Sequence, residues 1–112
     1  MMSKDLISVI MSSYNSEETI EKSILSILKQ DYKNIEFLIV DDCSKDSSLS
    51  IMKRLREDDK RIKIIENKKN IGLTKSLNKL LKISNGKYIA RQDSDDVSLP
   101  HRLTTQINFI KK

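Results

Sequence analysis

The chain has one cysteine, one proline, two glycines, one histidine and no tryptophan in 112 residues. A lone Cys43 excludes an internal disulfide framework and fits a reducing compartment. Without a second histidine or cysteine, a zinc site of the usual composition is disfavoured. Scarce glycine and proline, beside 38% apolar and 33% charged residues, argue against a low-complexity or disordered chain and for regular structure. No apolar run approaches the roughly 20 residues of a spanning helix. The N-terminus also lacks an apolar segment of signal-peptide length, so the expected location is cytoplasmic, with the inner face of a membrane within reach. A chain this long can bury roughly two-thirds of its unfolded surface, which suffices for one domain and one core.

The 21 Lys and Arg outnumber the 16 Asp and Glu, giving a net charge of +5. Such a balance favours anionic ligands such as phosphates. The basic residues are scattered, however, as Lys53, Arg54, Arg56, Lys60, Arg61 and Lys63 illustrate, and read as a solvated surface rather than a nucleic-acid interface.

Apolar residues recur with two periods. Leu6 to Met11 and Ile35 to Val40 are nearly unbroken apolar runs, the pattern of strands covered on both faces; Ile62 to Ile65 and Tyr88 to Ala90 are shorter ones. Between them lie helical stripes: Ile20, Ile24, Ile27 and Leu28; Ile51, Met52 and Leu55; Leu73, Leu77, Leu80 and Leu81; and Leu103, Ile107 and Ile110 after Pro100. Asn15 with Glu18 resembles a capping pair for the first helix, and Asn85-Gly86 supplies a stop for the third. Strand and helix therefore alternate four times. That order predicts an α/β fold, a mainly parallel sheet with helices on both faces, whose ligands bind beyond the carboxyl ends of the strands. Three polar stretches follow strand ends, Ser12 to Asn15, Asp41 to Asp46 and Gln92 to Asp96, and are expected to converge on one crevice.

The densest chemistry lies in the last of these. Asp93, Asp95 and Asp96 set three carboxylates within four positions at a strand exit. They repel one another, and a cation or donor-rich ligand would offset the repulsion. An acid cluster after a strand is, taken alone, more often a solvated turn or a helix cap. Lone His101 reads as an exposed residue near a helix start, and Cys43 as a loop filler with no base to activate it.

Four blocks in order, Ser8 to Asn15, Val40 to Asp46, Asn70 to Leu73 with Leu77-Asn78, and Gly86 to Asp96 with Leu99-Pro100 and Arg102-Leu103, resemble the family-2 glycosyltransferases with the Rossmann-like A-type nucleotide-sugar-binding fold. The resemblance implies a nucleoside diphosphate sugar, usually of uridine type, held with Mn²⁺ or Mg²⁺. It places Ser12 and Tyr14 against the base, with Asp42 accepting a hydrogen bond from it. It sets Asp93 at the nucleotide and Asp95 and Asp96 at the metal, although the division of ribose and metal roles among the three aspartates stays open. The family often has glycine where Cys43 stands. If that backbone needs a positive φ, the loop here is shifted or mildly strained.

Inverting sugar transfer needs a general base, commonly a carboxylate, which in the resembled family lies well downstream of the aspartate cluster. The 16 residues after Asp96 include neither Asp nor Glu. Residues 1–112 are thus expected to be the donor-binding portion of a glycosyltransferase, with the acceptor half missing, no catalytic residue of their own, and little activity alone. The acceptor, a saccharide or lipid, is not identified. Self-association through exposed core or a sheet edge is expected. A non-catalytic nucleotide-binding or assembly module is the alternative reading; a receiver-like domain fits less well, because its acidic pair would follow the first strand rather than the second.

Overall fold

The computed structural model describes residues 5–110. Four strands and four helices alternate: β1 (Ile7–Ser13), α1 (Ile20–Leu28), β2 (Ile35–Asp41), α2 (Ser48–Asp58), β3 (Ile62–Glu66), α3 (Leu73–Ile83), β4 (Tyr88–Arg91) and α4 (Arg102–Ile110). The strands form one sheet in the order β3-β2-β1-β4, and every pairing is parallel. The expected α/β architecture is therefore the observed one.

Strand side chains alternate between faces, and each face meets a different set of helices. Ile7, Val9 and Met11 of β1 and Ile35, Phe37 and Ile39 of β2 share a core with Ile20, Ile24 and Ile27 of α1, Met52 and Leu55 of α2, and Leu103 and Ile107 of α4. The intervening Ile10, Leu38 and Val40 form a smaller cluster closed by Leu77 and Leu80 of α3. All seven residues of β2 are buried, which is why its sequence shows a run rather than an alternation.

The strand order has one reversal. From β1 the chain steps outward to β2 and β3, then returns to place β4 on the other side of β1. The carboxyl ends of β1 and β4 consequently part company at a topological switch point, where the loops leaving them diverge and open a crevice. β4 is also an edge, and Ile89 on it is exposed, as are Phe109 and Ile110 of α4. Among the described residues no helix is long and apolar enough to cross a membrane.

Two expected helix ends are made differently. Asn15 does not cap α1: it adopts a left-handed φ of 50°, and the helix begins later, after Thr19, with no side-chain cap. Gly86 does not stop α3 through a left-handed turn either; α3 ends at Ile83 and Ser84 is extended. Gly86 instead lies against β1, where an added Cβ would come within 2.5 Å of both Ser8 N and Ser8 Oγ. The same corner holds a buried carboxylate. Glu36 accepts from Ser8 Oγ at 2.5 Å and from Asn85 N at 2.6 Å, while Gly86 N donates to Ser8 Oγ at 2.8 Å.

Candidate functional site

The three polar loops at the carboxyl end of the sheet are tied together by side chains. Asn15 N donates to Ser44 Oγ and Lys45 N donates to Asn15 Oδ1, while Glu17 N donates to Asp46 Oδ2 and Ser47 N returns a bond to Glu17 Oε2. This reciprocal pairing explains why Asn15 leaves the helix: its side chain serves the loop after β2. The loop after β4 joins through Ser94, whose Oγ lies 2.8 Å from Ser16 Oγ and whose carbonyl accepts from Thr19 Oγ1 at 3.0 Å.

Two adjoining hollows result. One, of about 420 Å³, is lined by Ser12, Tyr14, Asp42, Asn70, Gly72 and Ser94, among others. The other, of about 520 Å³, includes Ser12, Arg91, Asp93, Ser94 and Asp95. Both fall in the size range of small-ligand sites. Ser12, Tyr14, Asp42, Asp93 and Asp95 are thus brought to one crevice, whereas Asp96 lines a neighbouring hollow on the α4 side with Gln92 and Arg102. Tyr14 is 48% exposed and lines the first of these hollows. Lone His101 is exposed as expected, with Nδ1 at 2.6 Å from Asp31 Oδ2, and it lines the same hollow as Asp96.

Asp42 has an additional task. It is only 2% exposed, and its carboxylate takes Ile71 N at 2.8 Å, Gly72 N at 2.9 Å and Asn67 Nδ2 at 2.9 Å. Burial alone would raise its pKa, but the bonds from Ile71, Asn67, Gly72 and Ser76 outweigh it and hold the carboxyl below its usual value. Glu36 and Asp46 are lowered against burial in the same way, by Asn85 and Ser8 and by Ser48 respectively. A carboxyl with a depressed folded-state pKa contributes stability above its unfolded value and loses it as pH falls through the folded one. Urea-unfolding midpoints should accordingly be level from pH 8 down to roughly pH 5 and drop increasingly below about pH 4. Asp42→Asn should lower the neutral plateau and flatten that acid limb; an unchanged limb in the variant would remove Asp42 from the account.

Cys43, beside it, sits at φ 64°. The left-handed backbone that suits glycine is therefore present, and the cysteine bears the strain. Cys43→Gly should raise stability by about 0.5–1 kcal/mol, measured as a higher thermal midpoint; a lower midpoint would mean that the Cys43 Sγ contact to Lys68 O at 3.5 Å matters more than the strain.

The acidic loop is held by residues that the sequence pattern did not single out. Ser23 Oγ donates to Asp93 O at 2.8 Å, Ser98 N donates to Ser26 Oγ at 2.9 Å, and Gln30 Nε2 donates to Leu99 O at 2.6 Å. Together with Ser16 and Thr19 these small polar residues recur at spacings of 3, 4, 3 and 4, a second stripe on and around α1 beside the apolar one. Gln92, 2% exposed, completes the hold: its Nε2 donates to Asp96 O at 2.8 Å and to Ser23 Oγ at 3.1 Å, and its Oε1 accepts from Ser98 Oγ and Arg102. The spacing was the available signal; serines on a helix read as solvent-facing until a loop is known to cover them.

Asp93, Asp95 and Asp96 are exposed, and each offers a carboxylate oxygen lying within 4.8 Å of the others'. Hard oxygen donors in this number fit Mg²⁺ or Mn²⁺, which need only one or two carboxylates beside water and phosphate oxygens. Arg91 Nε donates to Asp93 Oδ1 at 3.1 Å and offsets part of the cluster's charge.

A family model described as "Glycosyl transferase family 2" matches residues 8–112. EpsE of Bacillus subtilis (strain 168) is 49% identical over 113 residues, covering 100% of this chain and 41% of EpsE. WfgD of Escherichia coli, a UDP-Glc:alpha-D-GlcNAc-diphosphoundecaprenol beta-1,3-glucosyltransferase, is 43% identical over 107 residues, covering 96% of this chain and 42% of its own length. Among solved structures, TarS 1-349 of S. aureus in complex with UDP superposes with a TM-score of 0.86 at 34% identity, over 94% of this chain and 32% of that one. The mannosyltransferase PcManGT of Pyrobaculum calidifontis, in complex with GDP-Man and Mn²⁺, gives 0.79 at 28% identity, over 88% of this chain and 30% of that one. The chain spans about two-fifths of the length of these curated relatives. A sequence match that runs from the first strand to the last residue, on a shared fold, has one outcome: this chain belongs to glycosyl transferase family 2.

Proposed function

We propose that residues 1–112 form the donor-binding portion of an inverting glycosyltransferase and hold a nucleoside diphosphate sugar of uridine type with Mn²⁺ or Mg²⁺. The observation that carries this reading is the meeting of Tyr14 and Asp42 with Asp93 and Asp95 in two adjoining hollows at the carboxyl end of the sheet, with Asp96 within 4.8 Å of both aspartates. An aromatic face suits a base, and clustered carboxylates suit the cation that accompanies a diphosphate. Ser12 and Tyr14 contact the base, with Asp42 rigidly presented beside them by Asn67 and the backbone of residues 71 and 72. Asp93 faces the nucleotide, and Asp95 and Asp96 hold the ion. When bound, the ion supplies Lewis-acid stabilisation of the charge on the departing diphosphate. The UDP complex of TarS and the Mn²⁺ complex of PcManGT support the choice of ligand.

The acceptor is a saccharide or a lipid, in keeping with the diphosphoundecaprenol-linked substrate that WfgD's name records, and the proposed location is the cytoplasm, with the inner face of a membrane within reach. A general base for the acceptor hydroxyl lies outside residues 1–112, so the chain alone binds donor without turning it over. Its exposed β4 edge favours self-association. Calorimetric titration of the chain with uridine diphosphate tests the central claim. Mn²⁺ should tighten binding by about ten-fold or more, ~1.4 kcal/mol; affinity indifferent to the ion, or no binding, would sink it.

A further inference from the structure

The carboxylates of a cation site have to be brought together by something, and mutual repulsion works against it. In this protein they offer oxygens within 4.8 Å of one another, and hydrogen bonds to the loop backbone help to bear the cost of gathering them. Those bonds come from two sides. Thr19 holds the carbonyl of Ser94, Ser23 that of Asp93 and Gln30 that of Leu99, while Ser26 accepts from Ser98 N. From the strand side Gln92 takes the carbonyl of Asp96 and is itself fixed by Ser98 and Arg102, whose second guanidinium nitrogen donates to Arg91 O at 2.7 Å. Every hydrogen-bonding position of the buried Gln92 amide is in use.

A loop whose backbone is fixed on two sides limits how far its carboxylates can spread. Fixed spacing is also what separates divalent cations. Mg²⁺ and Mn²⁺ fit small, near-octahedral oxygen sites, whereas Ca²⁺ takes more ligands at longer distances and tolerates irregular geometry. We infer that the polar stripe of α1 and the Gln92 amide are specificity-determining positioning groups, which hold the Asp93–Asp96 loop at a size that admits a small divalent cation and disfavours Ca²⁺. The inference rests on the reading of that loop as the cation site.

The test uses the full chain, saturated with uridine diphosphate. Mn²⁺ is titrated by the electron paramagnetic resonance signal of the free ion, and Ca²⁺ by competition against it. Two variants divide the hold: Gln92→Met, which removes the buried amide at similar volume, and Thr19→Val, an exposed and nearly isosteric change that removes the bond to Ser94 O together with a long one, 3.5 Å, to Ser16 O. Thermal midpoints confirm that each is folded. Gln92→Met should weaken Mn²⁺ about ten-fold, the lower end of what supporting partners of metal ligands contribute, and leave Ca²⁺ within about two-fold, because an irregular site still serves the larger ion. Thr19→Val should move the Mn²⁺-over-Ca²⁺ preference in the same direction by about two- to three-fold. Parallel loss of both ions, or an unchanged preference in both variants, overturns the inference while leaving the cation site standing. A wild-type chain that binds neither ion overturns the reading of the loop itself.

Discussion

Replacing Asp95 and Asp96 together by alanine is expected to remove the Mn²⁺-dependent part of uridine diphosphate binding, a loss of about ten-fold or more, ~1.4 kcal/mol. The residual affinity should equal that of the wild-type chain without metal, since Tyr14 and Asp42 line the adjoining hollow and are untouched by the change. Stability should move the other way. The three carboxylates are exposed, offer oxygens within 4.8 Å of one another, and have among the described residues one ion pair, Arg91 with Asp93, between them and the surrounding cations. Removing two of them relieves like-charge repulsion, so the thermal midpoint should hold or rise. The opposed signs make the result diagnostic. A variant that loses binding because it unfolds would show a lower midpoint, and a variant that keeps metal-dependent binding would remove these residues from the site.

The second large effect lies at the far end of the sheet. Gly86→Ala places a methyl carbon 2.5 Å from Ser8 N and 2.9 Å from Tyr88 O, both backbone atoms that cannot swing aside. Ser8 lies within β1, paired on one side with Glu36 of β2 and on the other with Ile89 of β4. Relief therefore requires β4 or the turn before it to move, and with it the bonds from Asn85 N to Glu36 and from Gly86 N to Ser8 Oγ. The expected loss is about 3 kcal/mol, out of the ~5–15 kcal/mol typical of a small domain. Urea denaturation measures it directly, and a change below about 0.5 kcal/mol would show that the corner yields freely.

Gly86 also shows how sequence and structure part. Asn-Gly after a leucine stripe reads as a helix stop, because left-handed backbone is the commonest reason for a glycine there. The structure needs it for closeness instead, a requirement set by Ser8, 78 positions away in the chain. The fold itself was legible: burial on both faces leaves unbroken runs such as Phe37 to Val40, and one-sided burial leaves stripes such as Ile20, Ile24 and Ile27. Helix boundaries were less so, since Asn15 is drawn off by Lys45 rather than by its own helix. In the crevice, the carboxylates and Tyr14 announced themselves by residue type. What holds them did not. Serine and threonine on a helix carry no signature until the loop lying over them is placed, and Asp42's bonds to residues 67, 71 and 72 depend on a turn that local pattern does not encode.

The grip of α1 on the acidic loop has a consequence for variation. Thr19, Ser23, Gln30 and Gln92 all take backbone carbonyls, those of Ser94, Asp93, Leu99 and Asp96. Carbonyls are the same whatever side chain they belong to. Apart from Ser94 and Ser98, whose hydroxyls are themselves engaged, the loop can exchange its side chains without loosening its frame. Frame and side-chain chemistry are thereby written in separate alphabets, and a designer can rewrite Asp95 or Val97 while leaving alone the helix on which the loop lies.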